Sequence, residues 1–564
     1  MKKLKAFVAV ILAAVVVLGL FGCTQQPTDY SVITNSKEEL EKFMNLEGLP
    51  IVKDGASAEL TVFIATNPNA ADVTEMPWTK QIEEATGVKI KWIAYSSEVA
   101  GEKLKQLILS GDLPDVIFGA VSSYTIVEYM DQGVFRPVDD LMAEYMPNLS
   151  AVYQARPQYK AMMTAPNGKI YGFPAIEEME GMTLAPSPIY VYKPWLDKLG
   201  MEIPDTLDEL RTFLEKVRDT DLNENGKHDE IPFTFQLGGW DAYEGYHQIL
   251  GCFGINDNYS HLTVMDGKVV NTTTLDSFKE GIKYLHQMYA DGLIDREAFT
   301  SLPSGDPRSR IMNLLNAREV TVGAVQLFDV MNEIYISSER ASEYVPLPQL
   351  TGPNGDKAAL RYNTSEVNAM QAVISATCKY PELAARWIDY MYDPEQSVYA
   401  NWGTLDYVYV KDQNGVLRWD VDEDGEFNYK QGYSSVAEMR FASTIATGPK
   451  AILNEYYGTI VEYPRDAKVA LEAERAAGLD EILENVEYFP PVWYTIEEQE
   501  TIAQYGNYIT NLMNSTVTRW MVEGGVDEGW DNYQQQLKNA ELDALMAVYQ
   551  AAYDRYVALL NSIE

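Results

Sequence analysis

Between residues 58 and 119 the chain alternates apolar strands with amphipathic helices, and this rhythm narrows the possible folds more than any other stretch. Glu59–Ala65 (ELTVFIA) is an apolar strand, and Trp78–Thr86 reads as a helix stopped by Gly87. Val88, Ile90 and Trp92 then alternate with Lys89 and Lys91, the pattern of a strand with one buried face. Val99–Ser110 carries Leu104, Leu107 and Ile108 at helical spacing and ends at Gly111; Asp115–Gly119 is a short apolar strand. Strand, helix, strand, helix, strand predicts parallel pairing through right-handed crossovers. Such sheets bind ligands beyond the carboxyl ends of their strands, where Asn67 and the run Gly119–Tyr124 fall.

The same reading continues along the chain. Gly168–Pro174 predicts a turn and short strand, Ile189–Tyr192 a strand, and Pro194–Leu199 a helix ended by Gly200. Thr206 and Glu209 form a T-x-x-E capping box for a helix over Leu207–Val217. Further helices are expected at Leu275–Ala290 and Pro381–Tyr392, a strand at Glu319–Val325, and a hairpin across Val410–Asn428 around DEDG. Thr495–Leu560 reads as almost wholly helical, broken near Gly524-Gly525.

The amino terminus has a different character. Lys2, Lys3 and Lys5 precede an apolar run from Ala6 to Phe21, which is short for a spanning helix and has the layout of an export signal. The run ends in Leu20-Phe21-Gly22-Cys23. Residues 24–57 are polar, hold Pro27, Pro50 and Gly55, and read as a tether with one short helix near Lys37–Phe43.

Composition removes several function classes. The chain of 564 residues has 44 basic and 83 acidic side chains, a formal charge of −39, and so lacks the basic face of a nucleic-acid binder. Three cysteines (Cys23, Cys252 and Cys378) make no disulfide scaffold. The four histidines form no HxxxH pattern, and no phosphate loop of the GxxxxGK[ST] type is present.

One loop specifies a chemistry by spacing alone. In DTDLNENGKHDEIP (219–232), Asp221, Asn223 and Asn225 stand at positions 1, 3 and 5 of an EF-hand-type loop, with Gly226 at the turn position 6. Lys227 would offer a backbone carbonyl, and Asp229 and Glu230 carboxylates. Ca²⁺ takes about six to eight hard oxygens in flexible geometry, which this set supplies. Position 12, normally Glu, is Pro232, so the site must close early at Asp229 or Glu230. The competing reading is a solvated acidic turn. Asp420–Asn428 repeats the spacing with Asp420, Asp422, Asp424 and Gly425, but between strand-like segments, where a hairpin turn reads better.

Several passages resemble the extracellular solute-binding proteins of bacterial ABC importers, in the branch that includes maltose-binding protein. They are LFGC, similar to a lipobox; SGDLPDVIFG (110–119); KIYGFPAIEE (169–178) with IYVYKPWLDKLG (189–200) and PDTLDEL (204–210); ATCKYPELAARWIDYMYDPE (376–395); and the C-terminal helices. The long Gram-positive forms are similar in carrying an NGNGK-DEIP-like loop at the same place. The resemblance implies an α/β, two-lobed periplasmic-binding-protein-like fold of type II, with parallel-rich sheets flanked by helices and a cleft between lobes. It implies chain crossings near Gly172–Glu178 and Arg361–Ala369. Lobe one would hold 58–174 and 366–445, and lobe two 175–365 and 446–564, after a signal of 1–23 and the tether. It implies a diacylglycerol on Cys23 and a monomer tied to the outer face of the cell membrane, partnered by permease subunits.

A sugar offers C–H faces to aromatic rings and hydroxyl edges to carboxylates and amides. The resemblance places the cleft at Ser122, Ser123 and Tyr124, at Glu178 past the crossing, at Trp240 in FQLGGW, at Phe328 and at Trp493 in PPVWY. Trp78, Trp402 and Arg361 are reachable by topology only, and Trp195 and Trp387 sit in apolar helical stripes that mark core. The implied function is capture of an oligosaccharide for an importer, with Ca²⁺ as a structural ion and no catalysis. Two other readings stand beside it: a secreted glycoside hydrolase, which needs two carboxylates at fixed separation, and a lipoprotein that binds a peptide or signal.

Overall fold

The computed structural model describes residues 32–68, 70–185, 187–235, 245–299, 307–423, 427–433 and 435–563. The expected signal, Cys23, and Trp240 lie outside them. The alternating segment forms as read. β1 (Ala58–Thr66) pairs in parallel with both β2 (Val88–Ser96) and β3 (Val116–Phe118). The intervening helices end at Gly87 and Gly111, whose φ of 69° and 73° place them in the left-handed region that lets a helix stop.

The remaining strands are β4 (Gly172–Glu177), β5 (Ile189–Tyr192), β6 (Ile231–Thr234), β7 (Leu262–Met265), β8 (Lys268–Asn271), β9 (Val322–Gln326), β10 (Tyr344–Pro346), β11 (Val367–Ile374), β12 (Tyr409–Lys411), β13 (Leu417–Trp419) and β14 (Lys450–Ile452). They build a six-stranded sheet in the order β14-β4-β11-β3-β1-β2 and a four-stranded sheet in the order β10-β5-β9-β6. β11 runs antiparallel to both its neighbours, β3 and β4.

Each sheet has its own hydrophobic core. In the first, Trp387 is fully buried and stacks on Phe118 with ring centroids 5.7 Å apart; Trp78 is also fully buried. The second gathers Leu210, Phe213, Leu214 and Val217 of the helix Leu207–Asp219 with Ile282 and Leu285, closed by Ile509, Val517 and Trp520 of the long helix Ile496–Glu523. The Thr206–Glu209 capping box is present at the start of the former helix. Trp195 is core, as its helical stripe indicated.

The chain passes between the cores three times: from β4 to β5, from β10 back to β11, and from Trp493 in the first core to the helix Ile496–Glu523 in the second; before that last passage the helix Arg465–Ala476 touches both, with Leu471 in the first and Ala473 in the second. Two expectations are corrected. The stretch after residue 445 does not turn straight to the second core, because β14 hydrogen-bonds alongside β4 and brings Ala451, Ile452 and Leu479 into the first. The expected tether is not free over its described part. Leu40, Met44, Ile51 and Val52 are buried in the first core, and Asn35 and Gly48 are held by Glu382 and Arg386. Val410–Asn428 holds two antiparallel closures: β12 and β13 turn at Asp412–Val416, and the expected closure across DEDG is made by the Val421–Phe427 bridge and the bond from Asn428 N to Asp420 O at 2.8 Å. Among the described residues no helix is long and apolar enough to cross a membrane.

Candidate functional site

Between the two sheets, where β4 ends, β11 begins and the chain crosses, lies a cleft of about 840 Å³. Alternation along β4 sends Ala175 and Glu177 to the same face, and both line the cleft. β14 contributes Lys450, registered opposite Ala175. β11 contributes both Asn368 and Gln371, three residues apart, which a regular strand would send to opposite faces. The register shifts between Asn368 and Ala372, with Met370 at φ 56°, and this bulge re-aims the second side chain. Gln371 Oε1 accepts from Thr447 Oγ1 at 3.1 Å. Phe328 follows β9 of the second sheet, faces the same space and packs against the first core.

The cleft carries buried polar side chains among apolar ones. Glu177 Oε2 accepts from Asn401 Nδ2 at 3.0 Å, and the Trp402 side chain is a second hydrogen-bond partner of the buried carboxyl. Burial pushes the Glu177 carboxyl above the usual carboxylate range, opposed by the charges of Lys450 and Arg440. Burial likewise pulls Lys450 down to about 8, opposed by Glu177. Burial thus drives both groups toward their neutral forms, each opposed by the other's charge, and Lys450 Nζ donates to Ala446 O at 3.4 Å. Glu366, across the crossing from Glu177, is also raised by burial; the two segments are joined by the bond from Glu177 N to Glu366 O at 3.0 Å.

The site residues read from sequence are dispersed. Phe328 is in the cleft. Ser122 caps the helix Ser123–Tyr129 by accepting from Thr125 N, and Tyr124 is exposed; none of Ser122, Ser123 and Tyr124 lines the cleft, though Gly119 at the end of β3 does. Glu178 is corrected outright. It is 3% exposed and saturated: it accepts from Arg156 Nε (2.6 Å), Arg156 Nη2 (3.0 Å), Tyr159 Oη (2.8 Å) and Asn454 N (2.7 Å). Its neighbour Glu177 takes the position assigned to it. Trp493 donates Nε1 to Met162 O at 2.8 Å and lines a separate pocket of about 290 Å³ against the C-terminal helix Leu542–Ile563. Trp78 is core, and Arg361 lies over the Tyr488 ring at 3.9 Å beside a different hollow. Trp402 sits behind Asn401 under the Arg440 guanidinium, 4.8 Å from its ring centroid.

Sequence reasoning missed Glu177, Asn401, Gln371 and Lys450. The two-residue period of GFPAIE pairs Glu177 with Ala175 and was a usable signal; the bulge that brings Gln371 round leaves none. The first crossing is itself unusual. Met179, Glu180 and Gly181 have successive φ of 39°, 54° and 81°. Such a left-handed run is held only by its surroundings: Glu180 N donates to Asn454 Oδ1 at 2.7 Å, and Glu180 pairs with Arg475.

The acidic loop folds around its side chains. Asp221 Oδ1 and Oδ2 accept from Asn225 N (3.1 Å) and Gly226 N (2.8 Å), and Asn225 Oδ1 from Lys227 N (2.8 Å). Gly226 takes φ 79°, which the sharp turn requires. Glu230 closes the loop early: Oε1 accepts from Leu222 N and Asn223 N, and Oε2 is buried without a partner. The amides of Asn223 and Asn225 donate to Asp229 and hold its carboxyl below the usual range. Among the described residues no three His, Cys, Asp or Glu side chains converge as a ready metal cluster. The loop's hard oxygens, with one buried carboxylate oxygen unpaired, suit Ca²⁺ in kind.

The sequence matches the family model of the bacterial extracellular solute-binding proteins over residues 67–398. The fructooligosaccharide ABC transporter substrate-binding protein FusA of Streptococcus pneumoniae serotype 4 is 36% identical over 509 residues, 89% of this chain and 91% of FusA. FusA in complex with kestose has a TM-score of 0.72 and 34% identity, covering 89% of this chain and 99% of that one. A FusA EF-hand mutant in complex with fructo-nystose gives the same values. A solute-binding protein of Bifidobacterium longum infantis, described as HMO binding and ABC-transporter associated, shares the fold at TM-score 0.75 and 22% identity, over 89% of this chain and 99% of that one.

Proposed function

The chain belongs to the bacterial extracellular solute-binding proteins, and from that premise we propose that it captures an oligosaccharide between its two lobes and hands it to an ABC importer. The observation that carries this reading is the polar cleft at the crossing strands, with amides, hydroxyls and carboxylates on its walls and the Phe328 ring at its side. Hydroxyl edges of a sugar find acceptors and donors there, and a C–H face finds the ring. The solute touches both lobes only when they are shut, so it shifts the population toward the closed form. FusA, described as binding fructooligosaccharides, makes fructans the first ligands to try.

Phe328→Ala is expected to weaken binding of the best glycan by about 1–3 kcal/mol, roughly ten- to hundredfold. Melting of the unliganded protein should change little. Calorimetry beside thermal unfolding checks this; unchanged affinity removes Phe328 from the site. Product analysis of the same incubations separates capture from hydrolysis: a cleaved glycan moves the protein to the hydrolase class.

Two further parts of the reading follow from the sequence. Cys23 begins the mature chain and carries a diacylglycerol that ties the protein to the outer face of the membrane. Mass spectrometry of protein from its native host should find that adduct; an unmodified terminus elsewhere rejects it. The loop Asp221–Glu230 holds Ca²⁺ as a structural ion, with Asp221, Asn223, Asn225, the Lys227 carbonyl, Asp229 and Glu230 as its ligands. The ion would staple the turn between the helix Leu207–Asp219 and β6, on the second core's surface.

A further inference from the structure

We propose that Gln371 is the cleft's specificity-determining hydrogen-bond donor: the β11 bulge aims its amide at the solute, which must place an oxygen there, an inference that rests on the carbohydrate-binding reading above. Four side-chain amides line the cleft: Asn363, Asn368, Gln371 and Asn401. Two of them are committed to the protein. Asn401 Nδ2 donates to Glu177, and its Oδ1 accepts from Arg440 Nη2 at 3.0 Å. Asn363 Nδ2 donates to Leu262 O at 2.9 Å and to Ser260 Oγ at 3.2 Å, and its Oδ1 accepts from Phe489 N at 3.0 Å. Those bonds brace the walls.

Gln371 is held on one side and open on the other. Its Oε1 accepts from Thr447 Oγ1 at 3.1 Å and from Gly448 N at 3.4 Å. A backbone N–H only donates, so the amide must turn its oxygen to Gly448 and offer Nε2 to the cleft. Among the described residues no acceptor meets Nε2. The backbone is fixed too, since Gly119 N donates to Gln371 O at 3.1 Å. Asn368, by contrast, is exposed, and nothing among the described residues holds its amide. The aim comes from the bulge. Asn368 and Ala372 stand four positions apart on β11, while their partners Ala175 and Phe173 stand two apart on β4. Gly172 leaves room for the detour, because a Cβ there would lie 2.6 Å from Met370 Sδ. A donor already oriented loses little freedom on binding, so more of its bond appears as affinity. A solute with no oxygen at that point would leave Nε2 unpaired when the lobes shut.

The test is calorimetry with kestose, raffinose and maltotriose as probes, beside melting of each unliganded protein, on the wild type, Gln371→Met, Thr447→Val and the double variant. Methionine keeps the length of the side chain and removes both ends of the amide. The wild type should bind at least one probe. Gln371→Met should weaken the tightest of them about tenfold, the loss expected when a buried polar group is left without its partner, with little change in melting. Thr447→Val should cost about threefold alone and nothing further in the Gln371→Met background, because Thr447 is a positioning residue that acts by orienting the amide. Unchanged affinity in Gln371→Met overturns the inference and leaves the carbohydrate reading standing. Additive losses in the double variant overturn the pre-aimed amide, since Thr447 would then act on the solute independently of Gln371. A loss of affinity with a large fall in melting temperature assigns Gln371 to structure and also overturns it. A wild type that binds none of the three overturns the carbohydrate reading itself.

Discussion

Arg156→Met is expected to lower the folding free energy by about 3 kcal/mol, the lower end of what breaking a buried ion pair costs. The reason lies in what it leaves behind. Glu178 has a side chain only 4% exposed, and Arg156 supplies two of its four hydrogen bonds, at 2.6 and 3.0 Å. Tyr159 and Asn454 N remain as donors, so the carboxylate is weakened rather than abandoned. Arg156 also reaches Glu455 at 2.9 Å, and its guanidinium is held more firmly protonated by these carboxylates. The variant thus loosens the junction of the first crossing, the segment 453–455 and the helix Pro157–Met163 together. Urea unfolding of unliganded protein near pH 7 measures it. Glu178→Gln added to Arg156→Met should recover part of the loss, because no unpaired charge then remains buried. A loss below about 1 kcal/mol, the usual value of an exposed pair, would show that water reaches Glu178 freely.

Removing calcium should produce the second large change. An ion that binds only the folded state adds about 2.7 kcal/mol at a hundredfold excess over its dissociation constant. Excess EDTA is therefore expected to lower the melting temperature of the wild type, and calcium to restore it. Asp221→Ala should melt low and ignore both reagents. Asp221 is chosen because its two oxygens organise the turn through Asn225 N and Gly226 N, so it would bind the ion and shape the loop at once. Glu230→Gln is the companion, since Glu230 Oε2 is buried without a partner. Glycan affinity should change far less than stability, because the loop belongs to the second core's surface and none of its residues lines the cleft. Identical melting with and without chelator would leave the loop as an acidic turn held by its own hydrogen bonds.

The elements of the fold were largely legible because local patterns set them. Strand alternation, glycine stops and the Thr206–Glu209 box describe individual segments, and each segment formed where its pattern lay. The site was less legible because it depends on register. Whether Glu177 or Glu178 faces the cleft turns on the last residue of a strand, and one step reverses the answer. Asn401 and Lys450 reach the site from a helix end and a three-residue strand that no spacing connects to β4. Aromatic residues misled for a simpler reason. Trp493 looks like a platform in PPVWY, yet its indole N–H is committed to Met162 O and its ring to another pocket. Phe328 lies in the cleft because it directly follows the end of β9.

Three passages between two cores also dictate the order in which this chain can be finished during synthesis. The bond from Asn454 to Glu178 joins residues 276 apart, and that from Trp493 to Met162 joins residues 331 apart. β1, β2 and β3 emerge first, but the open side of β3 must wait for β11, and β4 for β14. The second sheet, by contrast, is complete once β10 has been made. A nascent chain therefore carries an unpaired strand edge through most of its elongation, the condition under which high contact order invites wrong partners. The far edge is guarded: β2 alternates Lys89 and Lys91 along its length, charges that discourage a second chain from pairing there.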